Sequence, residues 1–300
     1  MAFTVWTSAR YVFPLPDGHR FPVAKYAMLR ERVIASGIVA TERVLDPPPA
    51  TDEQLRRVHS DDYVRRFTTG TLTDAEVRRI GFPWSPELVE RSRRAVGGTL
   101  AASRHALTHG IAMNLAGGTH HAFADHGEGF CVYNDVAVAI RALQGEGLIR
   151  RAAIVDLDVH QGNGTHAIFA GDPDVYTFSM HGGKNYPFHK VAGRLDVELP
   201  DRCGDSEYLR ALAESLPRVL AAASPDLVIY IAGADPHEGD ALGRLSLTFD
   251  GLAERDTMVI AQCREVGIPV AITIGGGYGR EISDTVAIHV RTARIAAAFA

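Results

Sequence analysis

Cysteine is scarce in this chain of 300 residues, and what there is forms no pattern. Cys131, Cys203 and Cys263 are scattered, odd in number and without a CxxC, which speaks against a disulfide framework and suits a reducing cytoplasm. No apolar run approaches membrane-spanning length. The opening MAFTVWTSAR lacks the basic stretch and apolar core of a signal peptide. Positive charge is not in excess either. A net charge of −5 argues against a nucleic-acid partner gripped through a basic surface. Arginine runs at 65–66, 78–79 and 91–94 alternate with acidic and apolar residues and read as solvated helix faces. Internal repeats and low-complexity tracts are missing, and PPPA at 47–50 reads as a loop, not a linker. The expectation is one cytoplasmic domain over residues 1–300, with no membrane or nucleic-acid partner, as a monomer or small homo-oligomer.

What is present is a repeating grammar. A 46% hydrophobic composition supports a sizeable core. Short apolar runs (IAMNLAG, AAIVDLD, VYTFSM, DLVIYIAG, PVAITIGGG) alternate with amphipathic stretches such as DVAVAIRALQ and EYLRALAESLPRVLAAA. Ser85 before Pro86 marks the start of a helix that runs to His109. Strands alternating with helices predict an α/β fold: a single doubly wound, mostly parallel sheet covered on both faces by helices. In such sheets, sites lie beyond the carboxyl ends of the strands. Five successive strands are followed there by polar clusters: GGTHHAF, DLDVHQGNG, SMHGGKN, GADPHEGD and IGGGYGRE. Packing alone does not account for five.

Asp156, Asp158 and His160 alternate in VDLDVHQGNGT, so a strand would send all three to one side. Carboxylates crowded in a core need a cation or dense hydrogen bonding. Asp158, His160 and Asp235 form a three-ligand N/O set with a fourth position open, the catalytic arrangement for zinc, with Fe(II) or Co(II) compatible. His120 and His121 suit proton transfer near neutral pH, with Asp156 and Asn163 as candidate orienting partners. Tyr278, behind three glycines, could donate to an oxyanion. GGGYGRE lacks the GxGxxG spacing of a dinucleotide turn, and GNGT lacks the lysine of a P-loop.

Taken together, GGTHHAFADHGEGFCVYNDVAVA, VDLDVHQGNGT, GADPHEGDALGRLSLT and GGGYG resemble the zinc-dependent histone deacetylase family, of the arginase/deacetylase fold. The resemblance spans nearly the whole chain, and HEGDALGRLSLT and HGGKNYPF look most like the class IV branch and its bacterial relatives. A bacterial source would make histone an unnatural substrate. The resemblance implies a zinc-bound water attacking the amide of an acylated lysine or acylated small amine. Asp158, His160 and Asp235 would bind zinc, His121 would be the base beside a protonated His120, and Tyr278 would stabilise the oxyanion. Structural potassium would be held by Asp156, the carbonyls of Asp158 and His160, Ser179 and the carbonyl of Met180. Phe130, with Gly129 beside it, would form one wall of a narrow acyl tunnel, and Tyr186 or Phe188 the other. Asn163 stands where many class I members carry aspartate, which leaves His121 less basic. PWSPELV shows no acidic residue placed to grip a peptide backbone.

Other readings share the fold. A binuclear manganese ureohydrolase would need a DAHxD pattern, and position 162 is glycine. A catalytically silent acyl-ligand binding protein would have lost a ligand or the tyrosine, and none is lost. An acetylpolyamine-type amidohydrolase would keep the same chemistry on a small amine.

Overall fold

The computed structural model describes residues 3–300. Its strands are β1 (Val5–Trp6), β2 (Val44–Leu45), β3 (Ile111–Asn114), β4 (Ala152–Asp156), β5 (Val175–Gly182), β6 (Leu195–Leu199), β7 (Leu227–Ile231) and β8 (Val270–Thr273). They form one sheet in the order β2-β1-β3-β8-β7-β4-β5-β6, with every pairing parallel. The helices are α1 (Lys25–Ala35), α2 (Asp52–Arg56), α3 (Asp61–Thr69), α4 (Asp74–Ile80), α5 (Pro86–His109), α6 (Asp135–Gly145), α7 (Asn163–Ile168), α8 (Asp205–Ala223), α9 (Phe249–Glu265) and α10 (Ile282–Ala298). The Ser85 hydroxyl caps α5 by accepting from the Leu88 amide at 3.1 Å, with Pro86 in the first turn as expected. No helix among the described residues is long and apolar enough to cross a membrane.

Alternate residues of the central strands enter opposite cores. Ala153, Val155, Val228 and Tyr230 join one apolar cluster, with α1, α8, α9 and α10 packed over it. Ala152, Ile154, Leu227 and Ile229 join the other, beneath α5 and α6. A strand buried on both faces must read as a near-continuous apolar run, which is why these strands stood out in the sequence. The short and half-exposed strands did not: β2 has two residues, and β6 (LDVEL) alternates polar with apolar at the sheet edge. A third cluster, rich in aromatics, fills the space between α3, α4 and α5.

The register aligns the ends of five strands. Asn114 pairs with Thr273, Thr273 with Ile231, Ile231 with Asp156, and Asp156 with Ser179. The five polar clusters therefore leave the sheet side by side. The expected strand AAIVDLD is shorter than its pattern: β4 stops at Asp156, and Asp158 and His160 lie on a bend beyond it. The Asp158 amide donates to Asp156 Oδ1 at 3.1 Å and the His160 amide to Asp158 Oδ1 at 2.9 Å. These i→i+2 side-chain bonds replace the ladder. Leu157 and Val159 still drop into the core, so the alternation survives the loss of strand geometry.

Arg255, from α9, is fully buried and ties this row together from beneath. Its Nη1 donates to the carbonyls of Gly233 (2.7 Å) and Leu157 (3.3 Å), the residues leading into Asp235 and Asp158. Its Nε and Nη2 both donate to Asp256 Oδ1 (3.0 and 2.8 Å), which also accepts from the Tyr230 hydroxyl at 2.5 Å. Replacing one member of such a network strands the others. Arg255→Met should destabilise the fold by roughly 3–5 kcal/mol, the cost of leaving Asp256 buried without its counter-charge; urea unfolding followed by circular dichroism measures it.

Candidate active site

Asp158, His160 and Asp235 come together at the centre of the row, on the bends after β4 and β7. His160 Nδ1 lies 2.9 Å from Asp158 Oδ1 and 3.2 Å from Asp235 Oδ2, and one ligand atom from each residue falls within 4.8 Å of the others. All three are buried. The carboxylates are held from behind: the Val159 amide donates to Asp235 Oδ1 at 2.8 Å and the Gly276 amide to Asp158 Oδ2 at 2.6 Å. Asp235 Oδ2 has no hydrogen-bond partner. Burial, with Asp158 adding repulsion, pushes the Asp235 carboxyl up to about 7. An orphaned, buried, charge-crowded oxygen facing an imidazole nitrogen is what a cation would relieve. The donor set of two oxygens and one nitrogen suits zinc, iron(II) or cobalt(II).

The tandem histidines lie on the connection from β3 to α6. Asp135, at the start of α6, accepts from the Gly118 and Thr119 amides at 3.0 and 2.7 Å, curling the glycine turn around its carboxylate. His59 pins the far end of the connection through the Phe123 carbonyl and the Asn134 amide. The two imidazoles then acquire different partners. His120 Nδ1 lies 2.6 Å from Asp156 Oδ2, and His121 Nδ1 lies 2.7 Å from Asn163 Oδ1. Burial pulls His120 down, but Asp156 and Asp158 together outweigh it and hold this imidazole up at about 9. Burial, followed by the neighbouring His120 and His160, keeps His121 well below its ordinary value. The two rings are thus shifted in opposite directions, a difference set by the side chain each one faces: the Asp156 carboxylate at the end of β4 or the neutral Asn163 amide at the start of α7.

Tyr278 follows β8. Its amide donates to Asp240 Oδ2 at 2.6 Å and its carbonyl accepts from Ala241. Burial raises its phenol far above the ordinary value, so it remains a donor. Tyr278, His121, His160 and Phe130 line one cleft, whose lining also includes Leu88 and Arg91. Phe130 occupies a tight turn closed by the Cys131 amide on the Glu128 carbonyl at 2.9 Å. Gly129 and Phe130 both take positive φ (57° and 64°), the signature of a I′-type turn. For a phenylalanine this is strained backbone, and it delivers the ring between Phe82 and Tyr278. A Cβ on Gly129 would sit 2.8 Å from the His121 ring and 3.2 Å from Tyr186. Tyr186 packs edge-on against His121, with ring centroids 4.9 Å apart. Phe188 is 82% exposed, and neither it nor Tyr186 lines that cleft. Asp156 pairs in register with Ser179, and Met180 is buried in the next position of β5.

The amino-acid pattern concealed several polar residues of this region. Arg91 belongs to a run read as a solvated face, yet it is buried: Nη1 donates to the Ser8 carbonyl and hydroxyl at 2.5 Å each, and the guanidinium lies 4.1 Å from the Tyr26 ring centroid. Arg94, in the same run, is half-buried and pairs with Glu90, so helical periodicity sets Arg91 deeper than its neighbours. Lys25 is also buried; it donates to the Gly277 carbonyl at 3.2 Å and sits 5.4 Å from the Tyr278 ring centroid. Glu128 lies inside a motif already singled out, but no spacing rule ties it to Asn163.

The histone deacetylase domain model matches residues 19–293. The chain belongs to the histone deacetylase family. It is 47% identical over 289 residues to an uncharacterized protein of Picosynechococcus, covering 96% of each chain. It is 33% identical to histone deacetylase 2 of Arabidopsis thaliana, covering 89% of this chain and 73% of that one. A crystal structure of an HDAC homologue complexed with SAHA superposes with a TM-score of 0.87 at 24% identity, covering 99% of this chain and 84% of that one. The fold is that of the deacetylases, and the parallel sheet flanked by helices agrees with the architecture expected from the sequence.

Gly276 shows how tightly the ligand set is framed. A Cβ there would lie 2.0 Å from Asp235 Oδ2 and 2.7 Å from Asp158 Oδ2. Gly276→Ala should therefore keep its far-ultraviolet circular dichroism while taking up well under one divalent cation per chain, measured by elemental analysis after loading and gel filtration.

Proposed function

We propose that this chain is a zinc-dependent amidohydrolase that removes acyl groups from an acylated lysine or small amine, working as one catalytic domain. The observation that carries this reading is the placement of His120 on Asp156 and of His121 on Asn163 directly beside the Asp158–His160–Asp235 set. Those three residues would hold zinc, with Fe(II) or Co(II) able to replace it; when bound, the cation acidifies a water and polarises the amide carbonyl. His121, neutral and with its Nδ1 occupied by Asn163, takes the proton of the attacking water through Nε2. His120, held cationic by Asp156, keeps positive charge beside the reacting carbonyl and preserves the charge balance of the buried carboxylates. Tyr278 donates its phenol proton in a hydrogen bond to the oxyanion as it develops. The departing amine takes its proton from the histidine pair. Phe130 and Tyr186 form the tunnel walls, with Gly129 leaving the gap between them; Phe188 lies at the rim. Potassium would be held by Asp156, Ser179 and the carbonyls of Asp158, His160 and Met180, lending positive charge to the strand end.

The test measures zinc content and release of a fluorophore from acetyl-lysine, alongside longer acyl-lysines and an acetylated polyamine. One zinc per chain with turnover of at least one substrate is expected. A zinc-loaded protein inert towards the whole panel would overturn the reading. Tyr278→Phe should bind zinc normally and lose roughly 10²–10³ in kcat, the cost of removing one oxyanion donor.

A further inference from the structure

Asn163 raises a chemical problem. Its side chain ends in an oxygen and an amino group of nearly the same shape, with opposite hydrogen-bonding character. If the oxygen faces His121, then His121 carries its proton on Nδ1 and offers a lone pair at Nε2. If the amino group faces His121, Nδ1 must accept, the proton moves to Nε2, and the nitrogen needed as a base is blocked. An aspartate here would accept at either oxygen and would force the first arrangement. A neutral amide does not choose by itself.

Glu128 makes the choice. Its Oε1 lies 2.7 Å from Asn163 Nδ2, and the Tyr186 hydroxyl donates to the same oxygen at 2.8 Å. The Glu128 side chain is 17% exposed, and His126 Nε2 stands 3.9 Å from its other oxygen. A carboxylate is acceptor-only, so it draws the Asn163 amino group towards itself and turns the Asn163 oxygen to His121. The I′-type turn at Gly129 and Phe130, anchored by the Gly129 and Phe130 amides on the Arg79 and Ile80 carbonyls, fixes Glu128 in this place. The same carboxylate ties down Tyr186, whose ring packs against His121.

We propose that Glu128 is a positioning residue of the site: through Asn163 it sets the tautomer of His121, and through Tyr186 it sets the wall beside it. This rests on the deacylase reading for its effect on turnover, but not for its effect on the imidazole.

Two measurements test it. Long-range proton–nitrogen NMR of the zinc-loaded protein should find His121 protonated at Nδ1 in the wild type. In Glu128→Gln, whose amide can also donate, that preference should weaken or reverse, while Tyr186→Phe should leave it intact. A wild-type His121 protonated at Nε2, or a Glu128→Gln spectrum unchanged from wild type, would overturn the proposal whether or not the protein turns over any substrate. In steady-state kinetics Glu128→Gln should lower kcat by roughly tenfold with little change in KM, the lower end of the range for losing an outer-shell partner. In an Asn163→Asp background the same substitution should cost nothing or raise kcat, because the aspartate needs no orienting and would be repelled by Glu128. Equal losses in both backgrounds would show that Glu128 merely supports the turn, and would refute the tautomer role.

Discussion

Three carboxylates withdrawn from water at one edge of a sheet are the constraint around which the rest of this molecule is arranged. Asp156, Asp158 and Asp235 are all at most 2% exposed. In a low-dielectric interior such a group cannot persist without donors and positive charge supplied at close range. The supply comes from every direction: amides of Val159 and Gly276, the imidazoles of His120 and His160, and from below the Arg255 guanidinium on the carbonyls of Gly233 and Leu157. One oxygen of Asp235 remains unserved, and it points into the ligand set. The incomplete compensation is where a cation belongs.

The same constraint gives the histidines their unequal characters. Two adjacent imidazoles in one loop share burial and backbone, so burial alone would push both towards neutrality. Asp156 reverses this for His120, and the neutral Asn163 leaves it in force for His121. Moving the formal charge one residue further out, from position 163 to Glu128, lets a carboxylate orient the amide without sitting against the imidazole.

Rigidity beneath and adaptability above follow from the topology. The sheet is parallel throughout and buried on both faces, so the row of strand ends is set by the core. The aromatic rings around the site come from connections instead: Phe130 and Tyr278 line the cleft from a tight turn and from the glycine turn after β8, and Tyr186, from the segment after β5, packs on His121.

Much of this was open to reading in the chain itself, for a physical reason. Doubly buried strands leave apolar runs that no surface segment imitates, and polar clusters that follow such runs are confined to one edge of the sheet. That placed Asp158, His160, Asp235, the tandem histidines and Tyr278 in one neighbourhood before any coordinates. Tertiary structure decided the remainder. It ended β4 at Asp156 and carried Asp158 and His160 on side-chain-bonded bends, a choice that depends on Asp235 and Gly276 arriving from other strands. It buried Arg91 and left Arg94 half-buried, because only packing tells which face of α5 looks inward. It packed Tyr186 against His121 and left Phe188 exposed, two aromatics that composition cannot distinguish. And it brought Glu128 to Asn163 across thirty-five positions, a contact with no periodicity to announce it. Sequence patterns record what each segment must bury; which distant polar groups then meet is settled only when the segments are packed.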